Sequence, residues 1–155
     1  MTLKEIRDSY GISQQQAANV LGIPVRTLRR YETNENYGNP LVRNALTKLL
    51  NEKYEITEDK GILTLESIKD ILLPILSNNG ISFCYLFGSY AKGNAKPTSD
   101  VDLLVDTDIT GLDFFSLVEE IRLKLHKKVD LIRLKDLQSD NPIILEILRY
   151  GIRIS

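Results

Sequence analysis

Apolar residues recur at helical spacing through the first fifty positions and at strand spacing near the middle of the chain. Leu3 and Ile6 predict a short amphipathic helix that stops at Tyr10-Gly11. Ser13 can accept a hydrogen bond from the free N–H groups of a following turn, so a second helix runs from Gln14 to Leu21 and closes on Gly22. A third starts near Pro24, tolerated at a first helical position, and continues through Val25, Leu28 and Tyr31 to about Glu32. The stretch TNENYGNP is dense in turn formers and reads as a loop, after which Leu41 to Glu52 forms a fourth helix.

Residues 53–64, KYEITEDKGILT, are charged and carry a turn signal at Asp59-Lys60-Gly61, which reads as a linker or small hairpin. Beyond them, Leu65, Ile68, Ile71, Leu72, Ile75 and Leu76 predict a helix that Pro74 should kink, or near whose end it should lie. Ile81 to Phe87 reads as a mostly buried strand, Asp100 to Asp106 as a second and Lys128 to Leu134 as a third. Leu112–Leu125 and Pro142–Tyr150 read as helices. The expectation is α+β: an all-α domain over residues 1–55, a linker over 56–64, and an α/β domain with a small mixed sheet over 65–155.

The charge divides along the same line. Net charge is −1 over 155 residues, yet the first fifty carry seven basic and four acidic residues, leaving a net −4 on the rest. A basic front and an acidic back imply two modules with different partners. One cysteine, Cys84, and one histidine, His126, exclude an internal disulfide, a thiolate zinc cluster and a multi-histidine metal site. Cys84 reads as a small buried apolar residue and His126 as a surface residue near a helix end. No stretch reaches the roughly 20 apolar residues of a membrane span, and MTLKEIRDSYG lacks a signal peptide's apolar run. The expected setting is the cytoplasm, with no membrane partner.

Residues 87–106, FGSYAKGNAKPTSDVDLLVD, carry the chemistry. Strand alternation projects Asp100, Asp102 and Asp106 from one face and Val101, Leu103 and Val105 from the other. Two like charges that close are costly unless a cation neutralises them. Mg²⁺ suits them, because it takes hard oxygen ligands and commonly combines one or two carboxylates with substrate phosphates. Asp130, among apolar neighbours on another strand, is a third acid, and three such groups can hold two ions and activate a hydroxyl. Gly88 lets the backbone approach a ligand closely, and Ser89 adds a donor for phosphate. Lys92 and Lys96 lie in the same loop. Asp106 and Asp108 read as strand end and turn.

The run FGSYAKGNAKPTSDVDLLV resembles the Gly-Ser…Asp-x-Asp signature of the polymerase-β-like nucleotidyltransferases, and in particular their minimal (MNT) branch with its MntA-type antitoxins. The resemblance spans roughly residues 65–155. It implies a polymerase-β-like nucleotidyltransferase fold and metal roles for Asp100, Asp102 and, on a weaker Val-Asp-Leu match, Asp130. It further implies nucleotide-phosphate roles for Gly88 and Ser89, two Mg²⁺ ions with substrate, and ATP as the nucleotide. Many members are antitoxins that adenylylate a tyrosine of an HEPN-type toxin; this chain lacks the toxin's own Arg…His-x-Tyr pattern.

Two helices meeting at Leu21-Gly22-Ile23, the second bearing Arg26, Arg29 and Arg30, fit a helix-turn-helix, whose exposed arginines can reach base edges or phosphates. ISQQQAANVLGIPVRTLRRYE resembles the phage-repressor (XRE/Cro-like) class, although Pro24 stands where that class often has a capping Ser. By analogy, Gln14, Val25, Arg26, Thr27, Arg29 and Arg30 contact operator DNA. Arg30 alternatively pairs with Glu32 or its neighbours. Homodimerisation is expected only because such repressors usually read two half-sites.

Three functions follow. The first is an adenylylating antitoxin that acts on a nearby-encoded toxin and represses its own operon. The second is a DNA-binding regulator whose nucleotidyltransferase fold only senses nucleotide or docks a partner. The third, an antibiotic-modifying transferase, fits poorly because residues 65–155 leave little room for an acceptor-binding domain.

Overall fold

The computed structural model describes all 155 residues. The chain divides into two compact units, Met1–Glu55 and Ile56–Ser155.

The first unit is four helices, α1 (Leu3–Ser9), α2 (Gln14–Leu21), α3 (Val25–Thr33) and α4 (Pro40–Tyr54). Thr2 with Glu5, and Ser13 with Gln16, form capping boxes that satisfy otherwise orphaned N–H groups in the first turns of α1 and α2. Gly22 ends α2 in the left-handed region at φ 67°, where a side chain is disfavoured, and turns the chain into α3. Leu3, Ile6, Ala17, Ala18, Leu28 and Leu50 are buried together as this unit's core.

The second unit contains α5 (Leu65–Asn78), β1 (Cys84–Phe87), α6 (Gly88–Lys92), β2 (Val101–Val105), α7 (Gly111–Leu125), β3 (Val129–Arg133), α8 (Pro142–Tyr150) and β4 (Ile152–Arg153). The sheet order is β3-β2-β1-β4; β2 and β3 are parallel and the other pairs antiparallel, so the sheet is mixed. Leu86 pairs with Leu103, and Leu103 with Leu131, so these apolar side chains share one face. Ile68, Leu72 and Leu76 of α5 and Leu117, Ile121 and Leu125 of α7 pack against that face and complete the core. Cys84 lies fully inside it, and burial pushes its thiol up to about 12.

Several expectations change. Residues 56–64 are not a free connection: they lie within the second compact unit, where Ile56 and Leu63 join the core and a single bridge joins Thr57 to Lys60. Pro74 lies in the last turns of its helix, which continues to Asn78. The first strand begins at Cys84 and not at Ile81, and β4 has no counterpart in the sequence pattern because two residues are too few to show a period. His126 is the exposed cap of α7 at φ 57°. No helix is long and apolar enough to cross a membrane.

Candidate active site and helix-turn-helix surface

The sheet face opposite the apolar core carries the acids. Asp102 sits in register with Asp130 across the parallel β2–β3 pair, so the two carboxylates leave the sheet side by side. On the other side, Asp102 is in register with Phe87, the residue before Gly88. Asp100 stands two positions earlier, just ahead of β2, and is exposed, as is Asp130; Asp102 is half-buried.

Gly88 is in the left-handed region at φ 71°, and a Cβ built there would overlap Asp102 Oδ2, with Cγ 2.9 Å away. The turn from β1 into α6 and the seating of the central carboxylate therefore depend on the same missing side chain. Ser89 follows, partly exposed, in the first turn of α6.

Asp102 is electrostatically unusual. Burial first, then the carboxylates of Asp130, Asp100 and Glu146, push it from 3.8 to about 6, with Lys92 pulling the other way. An excess of hard oxygen ligands whose mutual repulsion raises a pKa is a donor set suited to a divalent cation, so the residues present fit Mg²⁺. They are not drawn into a preformed cluster of three metal ligands. Phosphate oxygens and waters commonly supply the remaining positions around Mg²⁺.

Two further groups were not legible in the sequence. Glu146, from α8, forms an ion pair with Lys92 at 2.6 Å and faces the acids, although 44 positions separate it from Asp102. Lys127 is wholly buried, and its Nζ donates to the carbonyls of Gly61 at 2.8 Å, Pro97 at 2.5 Å and Lys60 at 3.3 Å. It thus ties the turn at 59–61 to the loop that delivers Asp100. Burial pulls its ammonium below the usual lysine range, opposed by Asp59. Lys96 lies outside this group, in an exposed turn closed by its N–H donating to Ser99 Oγ at 2.8 Å.

In the first unit, Arg26, Arg29 and Arg30 are exposed on α3, while Val25 and Thr27 are partly covered. Gln14 is not free: its Nε2 donates to Glu32 at 2.8 Å and its Oε1 accepts from Arg29 Nε at 3.0 Å. Glu32 is paired by Arg7 at 2.6 Å, and not by Arg30, because residues two apart on a helix point in different directions. Arg30 instead lies over the Tyr37 ring, 5.8 Å from its centroid.

A Gly-Ser turn packed against paired strand carboxylates on a small mixed sheet defines a nucleotidyltransferase, joined here to a helix-turn-helix. Residues 66–155 match the polymerase beta nucleotidyltransferase family, and the chain belongs to it. Residues 3–47 match a helix-turn-helix family. Over 85 residues the chain is 38% identical to the protein adenylyltransferase MntA of Thermococcus cleftensis, covering 51% of this chain and 86% of that protein. A Methanocaldococcus jannaschii protein assigned as a protein adenylyltransferase is 40% identical over 75 residues, 44% of this chain and 87% of its own length. Among solved structures, a toxin–antitoxin complex with AMP-PNP shares the fold at TM-score 0.50 and 22% identity, over 56% of this chain and 72% of that one. A structure assigned as a minimal nucleotidyltransferase aligns at TM-score 0.50 and 28% identity, over 60% of this chain and 98% of its own.

Proposed function

We propose that the protein is a cytoplasmic antitoxin that transfers AMP from ATP to a tyrosine hydroxyl of an HEPN-type toxin encoded nearby, and that its front unit represses their operon. The observation carrying the reading is the packing of Gly88 against Asp102, with Asp102 in register with Asp130. That arrangement supports a phosphate chain seated at the Gly-Ser turn beside negative charge.

In this reading Asp100, Asp102 and Asp130 hold Mg²⁺, two ions when the nucleotide is bound. The ions supply charge neutralisation on the phosphates and acidify the acceptor hydroxyl. Gly88 and Ser89 give the phosphates a close backbone approach and a hydroxyl donor. The tyrosine oxygen attacks the α-phosphorus, the bond to the β-phosphate oxygen breaks, and pyrophosphate leaves. The phenolic proton passes to Asp130 or to solvent. The relatives named protein adenylyltransferase support a protein acceptor.

For the front unit, Arg26, Arg29 and Arg30 supply phosphate and base-edge contacts, with Val25, Thr27 and Gln14 beside them. Gln14 acts partly by holding Arg29. A homodimer matches two operator half-sites.

The test is incubation with labelled ATP, Mg²⁺ and the neighbouring gene's product, alongside an Asp100→Asn/Asp102→Asn variant. Transfer by the wild type alone is expected. Absence of transfer with ATP binding retained would make the protein a nucleotide-sensing regulator. A gel shift on its own promoter should weaken with Arg26→Ala, with Arg29→Ala and with added salt; indifference to all three removes the DNA reading.

A further inference from the structure

The reaction proposed above takes a tyrosine hydroxyl as acceptor, and the chain carries one of its own beside the site. Of its seven tyrosines, Tyr150 alone is exposed, at 51%. Tyr31 and Tyr90 are buried, and Tyr10, Tyr37, Tyr54 and Tyr85 are half-buried. Tyr10 donates to Asn51 at 2.9 Å and Tyr90 accepts from the Leu63 N–H at 3.5 Å, whereas the Tyr150 hydroxyl has no hydrogen-bond partner in the chain. An exposed phenol that no other group holds is available as a nucleophile.

Its place in the fold favours one acceptor reaction over others. Tyr150 is the last residue of α8, which packs on β1 and α6, the two elements that meet at Gly88. The ring centroid lies 5.5 Å from Lys92 Nζ. Lys92 ends α6 four residues after Gly88, about 6 Å along a helix axis. Glu146 first, then Tyr150 and Asp102, hold the Lys92 ammonium above the ordinary lysine range, so the tyrosine and the central acid flank one cation. None of the α8 residues is fully buried, so little packing resists a small shift of its last turn.

We propose that Tyr150 is a self-adenylylation site, whose hydroxyl accepts the nucleotide within the same chain when no partner protein covers the site. The phenolic oxygen attacks the α-phosphorus of ATP and a new O–P bond forms. The bond from that phosphorus to the bridging oxygen breaks, and its electron pair leaves with pyrophosphate. The phenolic proton passes to solvent. Tyr150 takes this role only if residues 87–106 transfer AMP, as proposed above.

The test is incubation of the full chain alone with α-labelled ATP and Mg²⁺, with peptide mass analysis before and after. AMP should be found on the chain, on the peptide that holds Tyr150. Tyr150→Phe should lose that label yet still transfer AMP to the neighbouring gene's product within about twofold of wild type, as a surface substitution outside the acids. The Asp100→Asn/Asp102→Asn chain keeps Tyr150 but should stay unlabelled, both alone and mixed with active Tyr150→Phe. Label that persists in Tyr150→Phe, or that passes to the acid variant in the mixture, would overturn the proposal. So would a wild-type chain that stays free of AMP while labelling the partner, a result that leaves the transferase reading standing. Wild type that labels neither itself nor the partner removes both.

Discussion

A methyl group on Gly88 would occupy the space of the Asp102 carboxylate. The glycine that begins α6 and the acid in the first half of β2 are therefore one constraint, imposed by two residues fourteen positions apart. Gly88→Ala should cost about 2–4 kcal/mol, from steric overlap plus a disfavoured φ, and should abolish nucleotidyl transfer. Gly93→Ala shares the positive φ, at 76°, but its added methyl meets nothing within 4 Å. It should cost only about 1 kcal/mol. Thermal melts of the two variants, with transfer assays alongside, check the contrast.

Asp102 is held in its charged form against its environment. Its folded pKa of about 6 lies above the ordinary 3.8, so the folded state favours the proton more than the unfolded chain does. The penalty is absent below about pH 4, grows between these values and is fully present above about pH 6. Asp102→Asn should therefore stabilise the second unit at pH 7.5 by roughly 1 kcal/mol, discounted for the exposed half of the side chain, while removing activity. Melts at pH 7.5 and pH 4 test this. An equal gain at both would rule out the cost of ionising Asp102, from burial and from its neighbouring carboxylates, as the cause.

Lys127 satisfies three carbonyls from inside the second unit. Lys127→Met keeps most of the volume and removes the donors, leaving buried acceptors with no partner. A loss of about 2–4 kcal/mol is expected. Since one of those carbonyls belongs to Pro97, ahead of Asp100, transfer should fall even at temperatures where the variant stays folded. Circular dichroism and rate measurements on the same sample separate the two effects.

The first unit has its own buried charge pair. The Glu32 side chain is 2% exposed; burial pushes its carboxyl up, but hydrogen bonds from Arg7 and Gln14 outweigh this and hold it below the ordinary range. Its contribution is thus present above the ordinary glutamate value and lost as pH falls through the lower folded one. Arg7→Met strands the carboxylate and should cost about 3 kcal/mol. Glu32→Gln should flatten the acid limb of the unit's melting curve. It should also weaken promoter binding, because Gln14 loses the carboxylate that orients it toward Arg29.

How much of this was written in local pattern varies by element. The boundaries of α2 and α8 fall where capping residues and apolar spacing put them, at Gln14–Leu21 and Pro142–Tyr150. In both cases an N-cap side chain, Ser13 or Asn141, accepts from a first-turn N–H, a signal contained within three residues. Arg30 misled, because its proximity to Glu32 in sequence concealed the approach of Arg7 from α1. In residues 56–64 the small-hairpin reading has its counterpart in the Thr57–Lys60 bridge, but the burial there was hidden for a similar reason. Their charge reads as exposure, while Ile56 and Leu63 pack inward and the buried Lys127 takes up the turn's carbonyls.

By itself the sequence determined the two-part division, the helices, the apolar face of the sheet and the acidic motif, since each rests on propensity or periodicity over a few residues. Tertiary structure alone decided that Asp102 meets Asp130 in parallel register, and that Gly88 must be bare for Asp102 to fit. It also decided that Glu146 reaches Lys92 and that Lys127 goes inside. Those relationships join segments distant along the chain through sheet register and helix packing. Both are set by how the whole core closes, which no local window of residues contains.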